Sequence, residues 1–150
     1  MYRSGIPASI TMAQAIHESG TGQSELAVQA NNHFGIKCKK YWKGQTYYYK
    51  DDDRDNSGNL IESCFRSYET VIDSYIDHSN FLSDTQHYGF LFDIPVKEYN
   101  SWATGLKKAG YATDPLYAEK LIRIIEKYDL ALLDYHPDPL QKIKNSTANN

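Results

Sequence analysis

Cysteine is nearly absent from this sequence: Cys38 and Cys64 are the only two in 150 residues. Their spacing matches neither a CxxC redox motif nor a zinc-binding pattern. Whether they pair, approach as thiols or have no relation is left open by the count alone. Phenylalanine is also scarce, at 5 residues against 13 tyrosines. No apolar run approaches the roughly 18 residues that a membrane-spanning helix needs, so no membrane span is expected. Positive charge is not in excess: 16 Lys and Arg face 19 Asp and Glu, for a formal net charge of −3. With no dense basic cluster, a broad nucleic-acid footprint is excluded. HExxH, GxSxG and a Gly-rich phosphate loop are all missing, and His17, His33, His78, His87 and His136 lack metal-ligand spacing. No cofactor and no metal are expected. The opening MYRSGIPASI has neither the charged segment nor the apolar stretch of a signal peptide, which fits either a trimmed chain or an internal piece of a longer exported protein.

Residues 1–135 have the length and apolar content of one domain, and the polar, Pro-containing 136–150 read as a tail or linker. Ile6, Ile10, Ala13 and Ile16 recur at helical spacing and predict a helix over residues 6–18, with Ser4 as its cap and Pro7 in its first turn. A short helix over 23–30 and an extended 34–38 follow. Residues 45–51 and 60–66, separated by RDNSGN, predict a β-hairpin. Helical patterns then cover 69–82, about 96–106 (closed by Gly110), and a last helix that Asp114 caps with Pro115 in its first turn. The sum is a mainly helical α+β domain with one inserted hairpin.

Two acidic features stand out. Glu18 ends the first helix in AIHESGTG, beside its apolar stripe. A helix C-terminus carries partial negative charge, so this position and the apolar border both favour a protonated carboxyl. Asp51, Asp52 and Asp53 lie in a polar stretch that favours ionisation. Glycoside hydrolysis uses two carboxylates in such contrasting environments, one as acid and one as base or nucleophile. A calcium loop is the competing explanation for DDDRDNSGNLIE, but the sixth position is Asn56 where an EF-hand needs Gly.

The runs GIPASITMAQAIHESGTGQSELA, NNHFGIKC, CFRSY and AGYATDPLYAEKL together resemble the bacterial glucosaminidase domain, glycoside hydrolase family seventy-three, over roughly residues 5–130. The resemblance implies a lysozyme-like helical bundle with a small β-hairpin lobe flanking a substrate groove. It implies an endo-β-N-acetylglucosaminidase that cuts the β-1,4 bond after N-acetylglucosamine in peptidoglycan. Peptidoglycan glycan strands would be the partner, the protein a monomer, and the location the cell envelope. By the same resemblance Glu18 is the general acid. The family's second carboxylate is usually a hairpin Glu, and this chain has YKDDD there. Counting along the chain favours Asp53, then Asp52, then Asp51 as its counterpart, and the substrate's own acetamido group is an alternative nucleophile. Tyr111 of AGYATDP is expected near the acid. Phe34, Trp42, Asp51 and Tyr117 are expected to line or bind the glycan. Cys38 and Cys64 flank the expected β-lobe, which leaves a bond or a close approach open. Two other functions fit the same sequence: a muramidase or lytic transglycosylase acting on the same glycan, and a glycan-binding module with weak catalysis.

Overall fold

Thr70 shows how locally the sequence sets its helices. Its hydroxyl accepts the backbone N–H of Asp73 while the Asp73 carboxylate accepts the N–H of Thr70, a reciprocal capping box. This starts α3 at Val71, two residues later than the periodicity predicts. The computed structural model describes Met1 and residues 3–136, apart from the side chain of Asp52. Most of the expected tail therefore lies outside the described residues. The remaining helices are α1 (Ala8–Ser19), α2 (Glu25–Ala30), α4 (Tyr99–Lys108) and α5 (Tyr117–Lys127). The two strands, β1 (Thr46–Arg54) and β2 (Leu60–Arg66), pair antiparallel. Two 3-10 segments, Gln86–Asp93 and Leu130–Tyr135, were not predicted; such short turns carry no sustained period to read. Among the described residues, no helix is long and apolar enough to cross a membrane.

The chain divides into two compact units, and the division falls within α1. The first comprises Met1–Ala13 and the residues from Gln86 onward. Its core includes Ile6, Ile10, Leu91, Trp102, Leu106, Tyr117, Leu121 and Ile125, all fully buried. Gly105 lets α4 approach the first 3-10 segment, since a Cβ there would fall 2.5 Å from Leu91 Cδ2. Ser4 does not cap α1; its hydroxyl accepts from Ile6 N in the turn before the helix. The carboxylate at the N-terminus of α1 is the buried Asp134, which accepts from Ser9 N at 2.9 Å and from Ser9 Oγ at 2.5 Å. That partner is 125 residues away, so a local motif could not reveal it. Asp114 likewise does not cap α5. It accepts from Leu116 N at 2.9 Å, one turn before the helix, and pairs with Lys120.

The second unit, Gln14–Thr85, holds the rest of α1 with α2, the hairpin and α3. Phe34 and Ile36 form its core with Ala15, and Tyr75 packs against them. His78 is fully buried, stacks on Phe34 with ring centres 3.9 Å apart, and lies 2.9 Å from Gln14 through Nε2. Burial pushes the His78 imidazole down to about 3. Along β1, Tyr47 and Tyr49 are half-buried while Thr46, Tyr48 and Lys50 are exposed, the period of a one-faced strand. β1 runs on past Asp51 to Arg54, so the three aspartates sit inside the strand. Asp55 then closes the turn, accepting from Ser57 N at 2.9 Å and Asn59 N at 3.0 Å. The two cysteines form a disulfide, Cys38–Cys64, at the base of the hairpin. Lys37 adds an isolated antiparallel bridge to Phe65.

Candidate active site

Glu18 is the penultimate residue of α1, and the chain is turned sharply just beyond it. Thr21 N–H bonds to Ile16 O at 3.1 Å, with Gly20 left-handed at φ 55°, the arrangement that closes a helix after a glycine. Thr21 and Gly22 are left-handed too, at φ 60° and 82°. Ser19 Oγ donates to Ala15 O at 2.5 Å and accepts from Gly22 N at 2.8 Å. The turn thus satisfies the Ile16 carbonyl, Ser24 N–H satisfies that of Ser19 at 2.9 Å, and Glu18 stays half-buried.

The surface facing Glu18 is made by residues 32–37, and Asn32 builds it. Its buried side chain donates to Ile36 O at 3.0 Å and Arg66 O at 2.9 Å. Its Oδ1 accepts from Phe34 N at 3.3 Å and Ile36 N at 3.2 Å. All four amide positions are used. The resulting loop carries Gly35 at φ 64°, where a Cβ would lie 3.9 Å from Glu18 Oε2. The carboxylate thus packs over the glycine backbone.

One cavity of about 250 Å³ joins these parts. Glu18 lines it from α1, and Ser24, Glu25 and Leu26 from the start of α2. Gly35 and Lys37 come from the loop, and Tyr49, Asp51 and Phe65 from the hairpin. Glu18 and Asp51 are therefore brought to one site. Glu25, whose carboxylate adds to desolvation in pushing the Tyr47 hydroxyl above its ordinary value, is a third acid there. Sequence alone did not single out Glu25, Lys37 or Asn32. Glu25 resembles any acidic residue in a first helical turn, and Asn32 resembles any turn asparagine. Among the described residues, no three His, Cys, Asp or Glu side chains are grouped as a metal ion requires.

The other expected site residues are placed differently. Asp53 Oδ2 accepts from Lys37 Nζ and from Ser63 Oγ, each at 2.5 Å. These hydrogen bonds and the Lys37 charge hold its carboxyl below the usual range. The Asp52 side chain lies outside the described residues. Phe34 is buried in the core of its unit instead of walling a groove. Trp42 donates from Nε1 to Gln45 O at 2.8 Å and lies 4.6 Å beneath the Arg66 guanidinium. Its ring serves a cation–π contact. In the other unit, Tyr111 stacks on Tyr117 with ring centres 5.8 Å apart, and Tyr117 is fully buried. A buried ring offers no face to a glycan. A larger cavity, about 490 Å³, lies beside Arg66, Tyr41 and Phe81. Its Asp77 is committed to Arg66 at 2.8 Å and to the Tyr68 hydroxyl at 2.5 Å. Size alone does not make it the reactive one.

Comparison with known proteins gives the family and the fold. The chain is 42% identical over 126 residues to the exo-glucosaminidase LytG of Bacillus subtilis, a match covering 81% of this chain and 44% of that protein. It is 33% identical over 129 residues to the peptidoglycan hydrolase FlgJ of Vibrio parahaemolyticus, covering 83% of this chain and 42% of that one. The chain thus spans less than half the length of these relatives. The crystal structure of a peptidoglycan hydrolase mutant from Sphingomonas sp. A1 superposes with a TM-score of 0.73 at 28% identity, covering 87% of each chain. The profile of the glucosaminidase family, described as mannosyl-glycoprotein endo-beta-N-acetylglucosaminidase, matches residues 1–130. With nearly all of its folded length matched, the chain belongs to the glucosaminidase family of glycoside hydrolases.

Proposed function

We propose that this domain hydrolyses the β-1,4 bond following N-acetylglucosamine in peptidoglycan, with Glu18 as general acid and Asp51 as the second carboxylate. The supporting observation is that Glu18 and Asp51 line one cavity. The names of the two relatives and of the Sphingomonas hydrolase supply the substrate class.

The roles follow from surroundings. Glu18 sits where the helix end opposes a negative charge, which favours the protonated form that a leaving oxygen needs. Asp51 is exposed on its strand, where solvent favours an ionised carboxylate. In that state it activates water or stabilises the oxocarbenium-like centre. Export to the cell envelope follows from a peptidoglycan substrate.

The deciding experiment digests purified peptidoglycan with the parent, Glu18→Gln and Asp51→Asn, and identifies the products by mass spectrometry. Reducing N-acetylglucosamine ends are expected from the parent, with activity abolished in Glu18→Gln. Reducing or anhydro N-acetylmuramic acid ends would move the cleavage to the other bond. A spread of fragment lengths marks an endo enzyme, and single terminal sugars an exo one. A chitobiose-core glycopeptide run in parallel tests the substrate named in the family description. Activity retained in Glu18→Gln would remove Glu18 from the mechanism.

A further inference from the structure

The three hairpin aspartates occupy an irregular stretch of β1. Lys50 pairs with Glu62 and Arg54 with Leu60, so Asp51, Asp52 and Asp53 lie opposite the single residue Ile61. A bulge takes residues off the ladder, and strand pairing then no longer fixes where their side chains point. Side-chain contacts, rather than the ladder, then set those directions.

Lys37 and Ser63 both bind Asp53 Oδ2, at 2.5 Å each, and they come from different segments. Lys37 is itself firmly seated. It bridges Phe65, its carbonyl accepts from Arg66 Nε at 3.1 Å, and the next residue is cross-linked to Cys64. The Lys37 and Asp53 side chains are each 41% exposed. An ion pair that exposed adds little to stability, so what it fixes is direction rather than folding. Lys37 also lines the cavity that holds Glu18 and Asp51.

We propose that Lys37 is a positioning residue: by gripping Asp53 it locks the bulge and so aims Asp51 into the cavity opposite Glu18. This inference rests on the reading of Asp51 as the second carboxylate. Asp53 is then a strut, and the cation placed beside the cavity also favours the ionised form of Asp51.

The test is steady-state hydrolysis of soluble, uncross-linked peptidoglycan strands across pH. Lys37→Met is expected to lower kcat about ten- to hundredfold, the effect of misplacing a reacting group by an ångström, with KM nearly unchanged. The acid limb of its kcat/KM profile moves to higher pH, because a nearby cation has been removed. Lys37→Arg restores most of kcat. Asp53→Asn shows the same loss as Lys37→Met, and the double variant is no worse than either alone. Ser63→Ala, at a strand position where folding is secure, gives a smaller loss in the same direction. Wild-type kcat and an unmoved acid limb in Lys37→Met, with Asp51→Asn inactive, would overturn the positioning role alone. An Asp53→Asn enzyme lacking the acid limb altogether would make Asp53 the reacting carboxylate and overturn it too. Full activity in Asp51→Asn would instead sink the reading beneath it, and the proposal would fall with it.

Discussion

Asn32→Asp is nearly isosteric and changes only what the side chain can donate. The amide gives one hydrogen bond each to Ile36 O and Arg66 O, at 3.0 and 2.9 Å. Losing two such bonds costs about 1–3 kcal/mol. The introduced carboxylate would also face two carbonyl oxygens in a site that is 1% exposed. Burial and repulsion raise its pKa; a rise of about two units adds about 2.7 kcal/mol at neutral pH. The sign follows from linkage. A carboxyl whose folded pKa lies above its unfolded value is harmless below the unfolded value, about 3.9, and costs stability as pH climbs through the folded one. The protonated form can also restore one of the two donated bonds. The expected loss is therefore about 4–5 kcal/mol at pH 7 and about 1–2 kcal/mol at pH 4, from the same terms. Urea denaturation followed by tryptophan fluorescence, each variant against the parent at the same pH, measures both. A loss under about 1 kcal/mol at pH 7, or equal losses at the two pH values, would refute the four-bond account of Asn32. Asn32→Ala is the control, with a loss that does not depend on pH.

His78 gives the parent its own pH dependence. Its folded pKa is near 3 and the unfolded value is 6.5, so stability is complete above 6.5 and falls as the pH drops from there toward 3. Between pH 6.5 and 4.5 the decline reaches about 2 kcal/mol, and His78→Gln flattens it; an unchanged slope in that variant would exclude His78 as the cause. Breaking the Cys38–Cys64 cross-link, across a separation of 26 residues, lowers stability by about 3.5 kcal/mol on the loop-entropy relation, read as a difference in urea midpoint between oxidised and reduced protein. Gly44→Ala would put a Cβ 2.4 Å from the Trp42 ring, so it destabilises by about 1–3 kcal/mol and disturbs the stacking under Arg66, visible as a shift in tryptophan emission.

The regular elements were legible because each advertises itself over a few residues. α1 has its apolar stripe, the hairpin its turn-forming RDNSGN, and α4 its closing Gly110 at φ 82°. Glu18 was legible for a related reason: a carboxylate before Ser-Gly contradicts the local electrostatics and so stands out. What stayed hidden depended on partners far along the chain. Asp134 reaches Ser9 from 125 residues away, and Asn32 reaches Arg66 from 34. Which aspartate lines the cavity was not readable, because a bulge breaks the two-residue alternation on which side-chain direction is counted. Phe34 was expected at the groove wall from the family resemblance and lies in the core, stacked on His78.

The distribution of ties across the hairpin explains how a small lobe can hold a carboxylate steady. Its base is fastened several times over: Asn32 to Arg66 O, Arg66 N to Ile36 O at 3.0 Å, Cys38 N to Cys64 O at 2.9 Å, and the disulfide itself. Toward the tip, Leu60 and Ile61 are exposed and the register is irregular. Asp51 lies between these regimes, past the fastened base and at the start of the bulge. A two-strand ribbon alone would be too marginal to hold a reacting group in place. The ribbon is tied to the loop that carries Gly35 under Glu18, so on the proposed reading both carboxylates are referred to one segment, residues 32–38. Under the proposed roles the site would depend on that segment more than on either acid's own element, and its asparagine and lysine would then matter as much as the acids they serve.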